Sequence, residues 1–359
     1  MIARYLRLAV WPRSLVLAYG IPLPLSPGDV VLPALLIVGL LALTAVALVR
    51  WPLLGFLGLW FFVTLAPTST IVPIATEVGA ERRMYLPLVA LVALTVVAIG
   101  PRLRRAAAIA LLVSVTAALS AQTALRHREY ASSFVMARTI LDRWPTGFAH
   151  ARMGIELARA GNHDDSITHL RESVNTYPKG HFHLGVELFA TGRADEAFAH
   201  LQQFVAEQPQ LLEAVRARTI IGRILLAKRR HAEAIEQFRL VLSMTAPADE
   251  AHVTVVGFLA DALFDQQKFS EAFPYYQQFV AARPNDVGAL TNVGITLASI
   301  GKPQEATRVF RRIVEITPTD VNAHRNLAKA LLNEDRIDAA ESETNALLRL
   351  NTDDAWDTI

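Results

Sequence analysis

The sequence predicts an all-α protein: four transmembrane helices followed by an α-solenoid of about six repeats. Three observations carry this. Charge is scarce only near the start, where residues 1–125 hold 9 Lys/Arg and 3 Asp/Glu, against 26 and 30 in the rest of the chain. The uncharged stretches in that first part run for 18 to 26 residues. About 20 apolar residues at 1.5 Å each cross a ~30 Å hydrocarbon core. From Pro145 onward, prolines recur at intervals of 31 to 38 residues, the period of stacked helical hairpins.

Residues 1–29 read as an interfacial amphipathic segment. Arg4 and Arg7 share a helix face, Tyr5, Leu6, Leu8 and Trp11 surround them, and Pro12 stops the run,. A signal peptide is the competing reading, but the apolar run before Pro12 is too short for one. The membrane domain spans 30–125, with helices expected near 30–49, 51–66, 85–100 and 106–124. After the second comes Pro67-Thr68-Ser69-Thr70, with Pro73 close behind. Its free backbone groups cannot face lipid, so this stretch must lie at the interface or re-enter against protein. Four spans place everything after 125 on the side opposite the tight turns at Arg50 and Pro101–Arg105. The arginines of those turns favour the cytoplasm. The expected product is a multi-pass integral membrane protein of the bacterial inner membrane, its solenoid periplasmic.

A connecting or capping helix fills 126–146, and six repeats fill 147–352, leaving a tail at 353–359. The prolines fall at Pro145, Pro178, Pro209, Pro247, Pro284 and Pro318. Ahead of them recurs one template. A small residue (Gly154, Gly185, Gly222, Ala260, Gly294, Ala328) is followed by Leu157, Leu188, Leu225, Leu263, Leu297 or Leu331. A second small residue (Ser166, Ala197, Ala234, Ala272, Ala306, Ala340) then precedes Leu170, Leu201, Phe238, Tyr276, Phe310 or Thr344 by four positions. This is the tetratricopeptide (TPR) pattern. Gly161, Gly192 and Gly301 follow first helices, where a left-handed cap is cheap.

Composition narrows the chemistry. There is no cysteine, hence no disulfide and no thiolate site. The basic pI of 9.0 comes from the apolar part, so nucleic acid is not an expected partner. His181 with His183, and His163, Asp164, Asp165 and His169, were the metal candidates. Residues two apart face different ways on a helix, and turn carboxylates are ordinarily solvated, so no metal is expected. Phosphate-loop, dinucleotide and nucleophile-elbow motifs are absent. No catalytic residue and no cofactor are expected.

Two places could bind. Asn292 and Asn326 stand 34 residues apart at the sixth position of repeats five and six, on the first helices that form the concave face. An Asn can bond an extended peptide backbone through both its amide donor and its acceptor; solvated polar residues are the other reading. Repeats one to four carry Arg152, His183, Ile220 and Phe258 there. Glu81, Arg82 and Arg83 sit at the mouth of the third span with Tyr85 just inside. They either clamp a lipid phosphate or snorkel as flanking residues.

The stretch Ala80-Glu-Arg-Arg-Met-Tyr-Leu-Pro87, running from a multispan region directly into TPRs, resembles the transmembrane-and-TPR-containing family. These are GT-C-type, protein O-mannosyltransferase-like proteins, and bacterial relatives are similar around Ala66–Ile74 and Glu81–Pro87. The resemblance implies a polyprenyl-phosphate-linked sugar as donor, a Ser/Thr acceptor and external TPRs that hold the acceptor protein. It makes Glu81, Arg82, Arg83 and Tyr85 the donor-phosphate or site-ordering candidates. In that family an acidic catalytic loop lies well upstream, and here only Asp29, Glu77 and Glu81 precede residue 126. The chain therefore looks like the C-terminal part of such a protein and is expected to be inactive alone. The functional expectation is a membrane-anchored TPR scaffold that holds a protein or peptide and contacts membrane lipids. The alternative is the acceptor- and donor-binding portion of an active O-mannosyltransferase.

Overall fold

The computed structural model of the chain describes residues 6, 27–66, 85–99 and 104–356. Among these residues the structure is helical, without strands. It divides into two compact units, Met1–Glu187 and Leu188–Ile359.

The first unit opens with α1 (Pro27–Arg50), α2 (Pro52–Leu65), α3 (Tyr85–Ile99) and α4 (Arg105–Glu129). α1 and α4 contain stretches, Val30–Arg50 and Arg105–Glu129, long and apolar enough to cross a membrane. None of either apolar window is buried inside the protein, unlike the core helix of a soluble domain. The expected spans at 51–66 and 85–100 differ. α2 has 14 residues, about 21 Å at 1.5 Å per residue and short of a ~30 Å core; 15 residues of α3 are described. Among the described residues, two long apolar helices thus stand where four spans were expected. Pro52 starts α2 one residue after α1 ends, so the run after Arg50 is a separate short helix. α2 packs on both of its neighbours: Phe61, Leu65 and Ala90 are buried together, and a Cβ on Gly55 would lie 2.3 Å from the backbone of Leu48. Leu53, Phe56, Trp60, Val89 and Val92 remain exposed.

α5 (Ser133–Arg143) follows, on the segment expected to cap the repeats. Ser132 caps it by accepting a hydrogen bond from the Val135 amide, 3.1 Å,. Arg143 returns to the end of α4 with a two-pronged contact to Glu129, at 2.9 and 2.5 Å. Ser133 donates to Glu156, 2.5 Å, which fixes α5 on α6 (Gly147–Arg159). α7 (His163–Ser173) completes the first hairpin. α8 (Gly180–Ala190) contains the boundary between the units.

The second unit continues with α9 (Ala194–Glu207), α10 (Glu213–Ala227), α11 (His231–Met244), α12 (Glu250–Asp265), α13 (Phe269–Ala282), α14 (Val287–Ser299), α15 (Pro303–Ile316), α16 (Val321–Leu332) and α17 (Ile337–Trp356). The hairpins follow the repeat template. The second small residue is buried in all six, from Ser166 to Ala340. The large residue four later is buried in the first five, and Thr344 of the sixth is exposed. Each proline falls a few residues after a second helix ends, where its fixed φ and missing N–H cannot continue the helix.

The turn inside each hairpin is the same device six times. One residue is left-handed: Gly161, Gly192, Arg229, Gln267, Gly301 and Asp335, with φ between 58° and 81°. The next amide bonds back to the template leucine of the first helix, as in Lys268 N–H to Leu263 O, 2.9 Å, a Schellman-type closure. The three expected glycines hold three of these positions, and an Arg, a Gln and an Asp hold the others. A non-glycine residue pays about 1–2 kcal/mol there, while glycine costs about 0.5–1 kcal/mol more on ordering. Gln267→Gly is therefore expected to stabilise the second unit by about 0.5–1 kcal/mol in denaturant unfolding. A loss of stability would show that the Gln267 side chain contributes to the turn.

The expected interfacial segment at 1–29 lies, apart from Leu6 and the start of α1, outside the described residues, as does the proline-broken stretch at 67–84.

Candidate functional site

A cavity of about 620 Å³ opens in the second unit. It is built by α12, α13, α14 and α16. Its apolar floor is Phe279, packed with Val256 and Ala289. Gly257 makes room for this ring, since a Cβ there would stand 2.7 Å from Phe279. The walls are polar: Asp261, Tyr276, Asp286, Thr291, Asn292, Asp320, Asn322 and Asn326. The two asparagines singled out by their spacing therefore line one cavity.

Asn292 and Asn326 come from equivalent turns of α14 and α16. Asn292 Nδ2 donates to Asp261 Oδ1, 3.1 Å, and its side-chain carbonyl has no partner among the described residues. The Asn326 amide has no hydrogen bond within the described residues, although it is half-buried. A polar group in that position has its donor and acceptor available for a ligand.

Asp261 is the hub. Its Oδ1 also accepts from the Tyr276 hydroxyl, 2.7 Å. This joins α12, α13 and α14 through one oxygen. Burial pushes the Asp261 carboxyl above its ordinary value; the hydrogen bonds from Tyr276 and Asn292 act the other way, and the charges of Asp265 and Asp286 add to the rise,. Burial and the neighbouring Asp261 raise the Tyr276 phenol, which stays a donor.

Asp286 and Asp320 are N-caps. Asp286 Oδ1 accepts from the Ala289 amide, 2.9 Å, and Asp320 Oδ1 from the Asn322 amide, 2.8 Å,. They are 34 residues apart, like Asn292 and Asn326. The same period could have found them in the sequence. Asp261 and Tyr276 carry no such signal, because their pairing is made across a hairpin.

At the sixth position of earlier repeats, Ile220 is buried and the Phe258 ring stacks on Phe238 at 5.8 Å. Arg223 covers Phe258 at 5.6 Å and Phe189 at 4.9 Å. In repeats three and four this position is used for packing, and the polar residues that line the cavity come from the last three repeats.

Glu81, Arg82 and Arg83 lie outside the described residues. Tyr85 begins α3, and its side chain lies outside them too. Of the histidine clusters, His163 Nδ1 is 2.6 Å from Glu187 Oε1, and His150 Nδ1 is 3.2 Å from His169 Nδ1. Among the described residues no three His, Asp or Glu side chains are placed to share a metal ion.

A tetratricopeptide-repeat family profile matches residues 151–211, 184–250 and 259–321, and a second profile of the same description matches 297–358. No curated protein sequence matches the chain. Among solved structures, a crystal structure of MamA is 17% identical over 48% of this chain and 96% of that one, with a TM-score of 0.43. MamA from residue 41 onward, of Desulfovibrio magneticus RS-1, is 13% identical over 58% and 96%, with a TM-score of 0.30. YrrB, described as a TPR protein with an unusual peptide-binding site, is 19% identical over 52% and 93%, with a TM-score of 0.46.

Proposed function

We propose, from the premise that the chain belongs over residues 151–250 and 259–358 to the tetratricopeptide-repeat family, that it is a membrane-anchored scaffold which holds an extended peptide segment of a partner protein. The observation that carries this is the polar cavity, with the Asn292 carbonyl and the whole Asn326 amide open to it. An extended peptide exposes unpaired backbone donors and acceptors on each residue, and two amides one repeat apart can meet such a ladder at two points.

The anchor is the first unit. The exposed apolar surfaces of α1 and α4 support a bilayer as their solvent, because water would leave them unburied at about 25 cal/mol per Å². The short, apolar α2 would then pack at partial depth, with α3 against it. The link to O-mannosyl transfer rests on the sequence resemblance around Ala66–Ile74 and Glu81–Pro87.

The test uses the full chain. It is expected to resist carbonate extraction from membranes. In detergent it should bind a subset of an arrayed random-octapeptide library. Asn292→Ala with Asn326→Ala should weaken that binding about tenfold or more without changing helix content. Carbonate release would remove the anchor, and unchanged peptide binding would remove the groove.

A further inference from the structure

The peptide-binding cavity carries three carboxylates and no cation. Asp261, Asp286 and Asp320 line it, and among the described residues no Lys, Arg or His does. Each aspartate uses one oxygen for the fold. Oδ1 of Asp261 takes Tyr276 and Asn292, and Oδ1 of Asp286 and of Asp320 takes a helix-capping amide. The second oxygen of each accepts no hydrogen bond within the described residues. Like charges around one partly enclosed space repel, and Asp286 raises the Asp261 carboxyl here. A ligand that brings positive charge relieves this repulsion.

The geometry also constrains how that charge is distributed. These carboxylates do not form a group able to share one metal ion. They come from α12 and from the caps of α14 and α16, so they follow the direction in which the repeats stack. Separate cations along an extended chain match that arrangement, and the amides of Asn292 and Asn326 lie in the same wall.

We propose that the groove selects an extended peptide bearing Lys or Arg side chains, which meet the second oxygens of Asp261, Asp286 and Asp320 while Asn292 and Asn326 hold its backbone. The proposal rests on the peptide reading and assigns its ligand class.

Charge can be removed here without removing structure. Asn caps a helix as well as Asp does, and an Asn at 261 keeps an oxygen for Tyr276 and Asn292. The experiment compares three forms of the full chain in detergent: native, the triple Asp261→Asn/Asp286→Asn/Asp320→Asn variant, and the Asn292→Ala/Asn326→Ala variant. The probe is an array of random octapeptides, acetylated and amidated so that their termini are neutral. Native binders should be enriched in Lys and Arg over Asp and Glu. They should bind the triple variant about tenfold more weakly or less. Raising salt from 0.1 to 1 M shortens the screening length from about 10 to about 3 Å and should weaken native binding as well. Binders that are lost on the Asn292/Asn326 variant, yet show no basic enrichment and survive the triple variant, would overturn the charge assignment and leave the peptide reading intact. If no peptide is sensitive to the Asn292/Asn326 variant, both fall together.

Discussion

Gly222→Val is expected to destabilise the second unit by about 2–3 kcal/mol. Gly222 lies in α10 beneath the Phe238 ring of α11, in the same hairpin. A Cβ at Gly222 would stand 2.3 Å from Phe238 Cε1 and 2.7 Å from Cζ. The ring is fully buried, so its retreat must displace packed neighbours. Overpacking of this kind costs about 1–3 kcal/mol, and valine adds two methyls beyond the clashing atom. Alanine is the diagnostic substitution. In an exposed helix Gly→Ala gains about 1 kcal/mol, whereas Gly222→Ala should lose stability because the clash outweighs propensity. Phe238→Ala should cost more, about 3–5 kcal/mol, through the cavity it leaves. Combining Gly222→Ala with Phe238→Leu should recover part of the loss, with a coupling of about 1 kcal/mol or more. Denaturant unfolding followed by circular dichroism measures these four and the Phe238→Leu single variant that completes the cycle. Strict additivity would show that the two residues do not share the contact. The same small-under-large pairing recurs at Gly294 with Phe310. Because each hairpin is stabilised by its neighbours, the damage should reach beyond the substituted repeat.

This pairing explains why the repeats were legible. A glycine, a leucine three later, a small residue and a large one form a single contact layer, and each position tolerates few residue types. Six copies made the pattern unmistakable. The turns were only half legible: Gly161, Gly192 and Gly301 announce a left-handed residue, but Arg229, Gln267 and Asp335 adopt it because the flanking Schellman bonds over-determine the backbone. The apolar part was legible as composition and less so as geometry. Charge spacing locates uncharged runs, yet it does not show that α2 stops after 14 residues. In the site, the 34-residue spacing found Asn292 and Asn326. It missed Asp261, whose importance comes from the Tyr276 hydroxyl reaching it across a hairpin turn.

Tyr276→Phe is the second large effect expected. The phenylalanine keeps the buried ring and its edge contact with Phe264, so the substitution removes one hydrogen bond to a carboxylate. Such a bond is worth about 1.5–3 kcal/mol, and that loss is expected at pH 7. The pH dependence distinguishes this from a packing defect. The Asp261 carboxyl is held above its ordinary value of 3.8, first by burial and then by Asp265 and Asp286. For an acid raised in the folded state, the linked stability is fully present below the unfolded value and is lost as pH rises through the folded value. Removing the phenol takes away a donor that favours the carboxylate. The folded value then rises further, so the variant should lose more stability than the native chain as pH climbs from about 4 to 7. The gap between the two should narrow toward pH 4, where a neutral carboxyl needs the donor less. Asp261→Asn should flatten this part of the pH profile while keeping both hydrogen bonds. A gap for Tyr276→Phe that stays constant across the same range would mean that the hydroxyl acts on packing alone. The native arrangement is thus less stable at neutral pH than an uncharged one would be. A cationic ligand that met Asp261 would therefore raise the stability at neutral pH, a gain that Asp261→Asn should abolish.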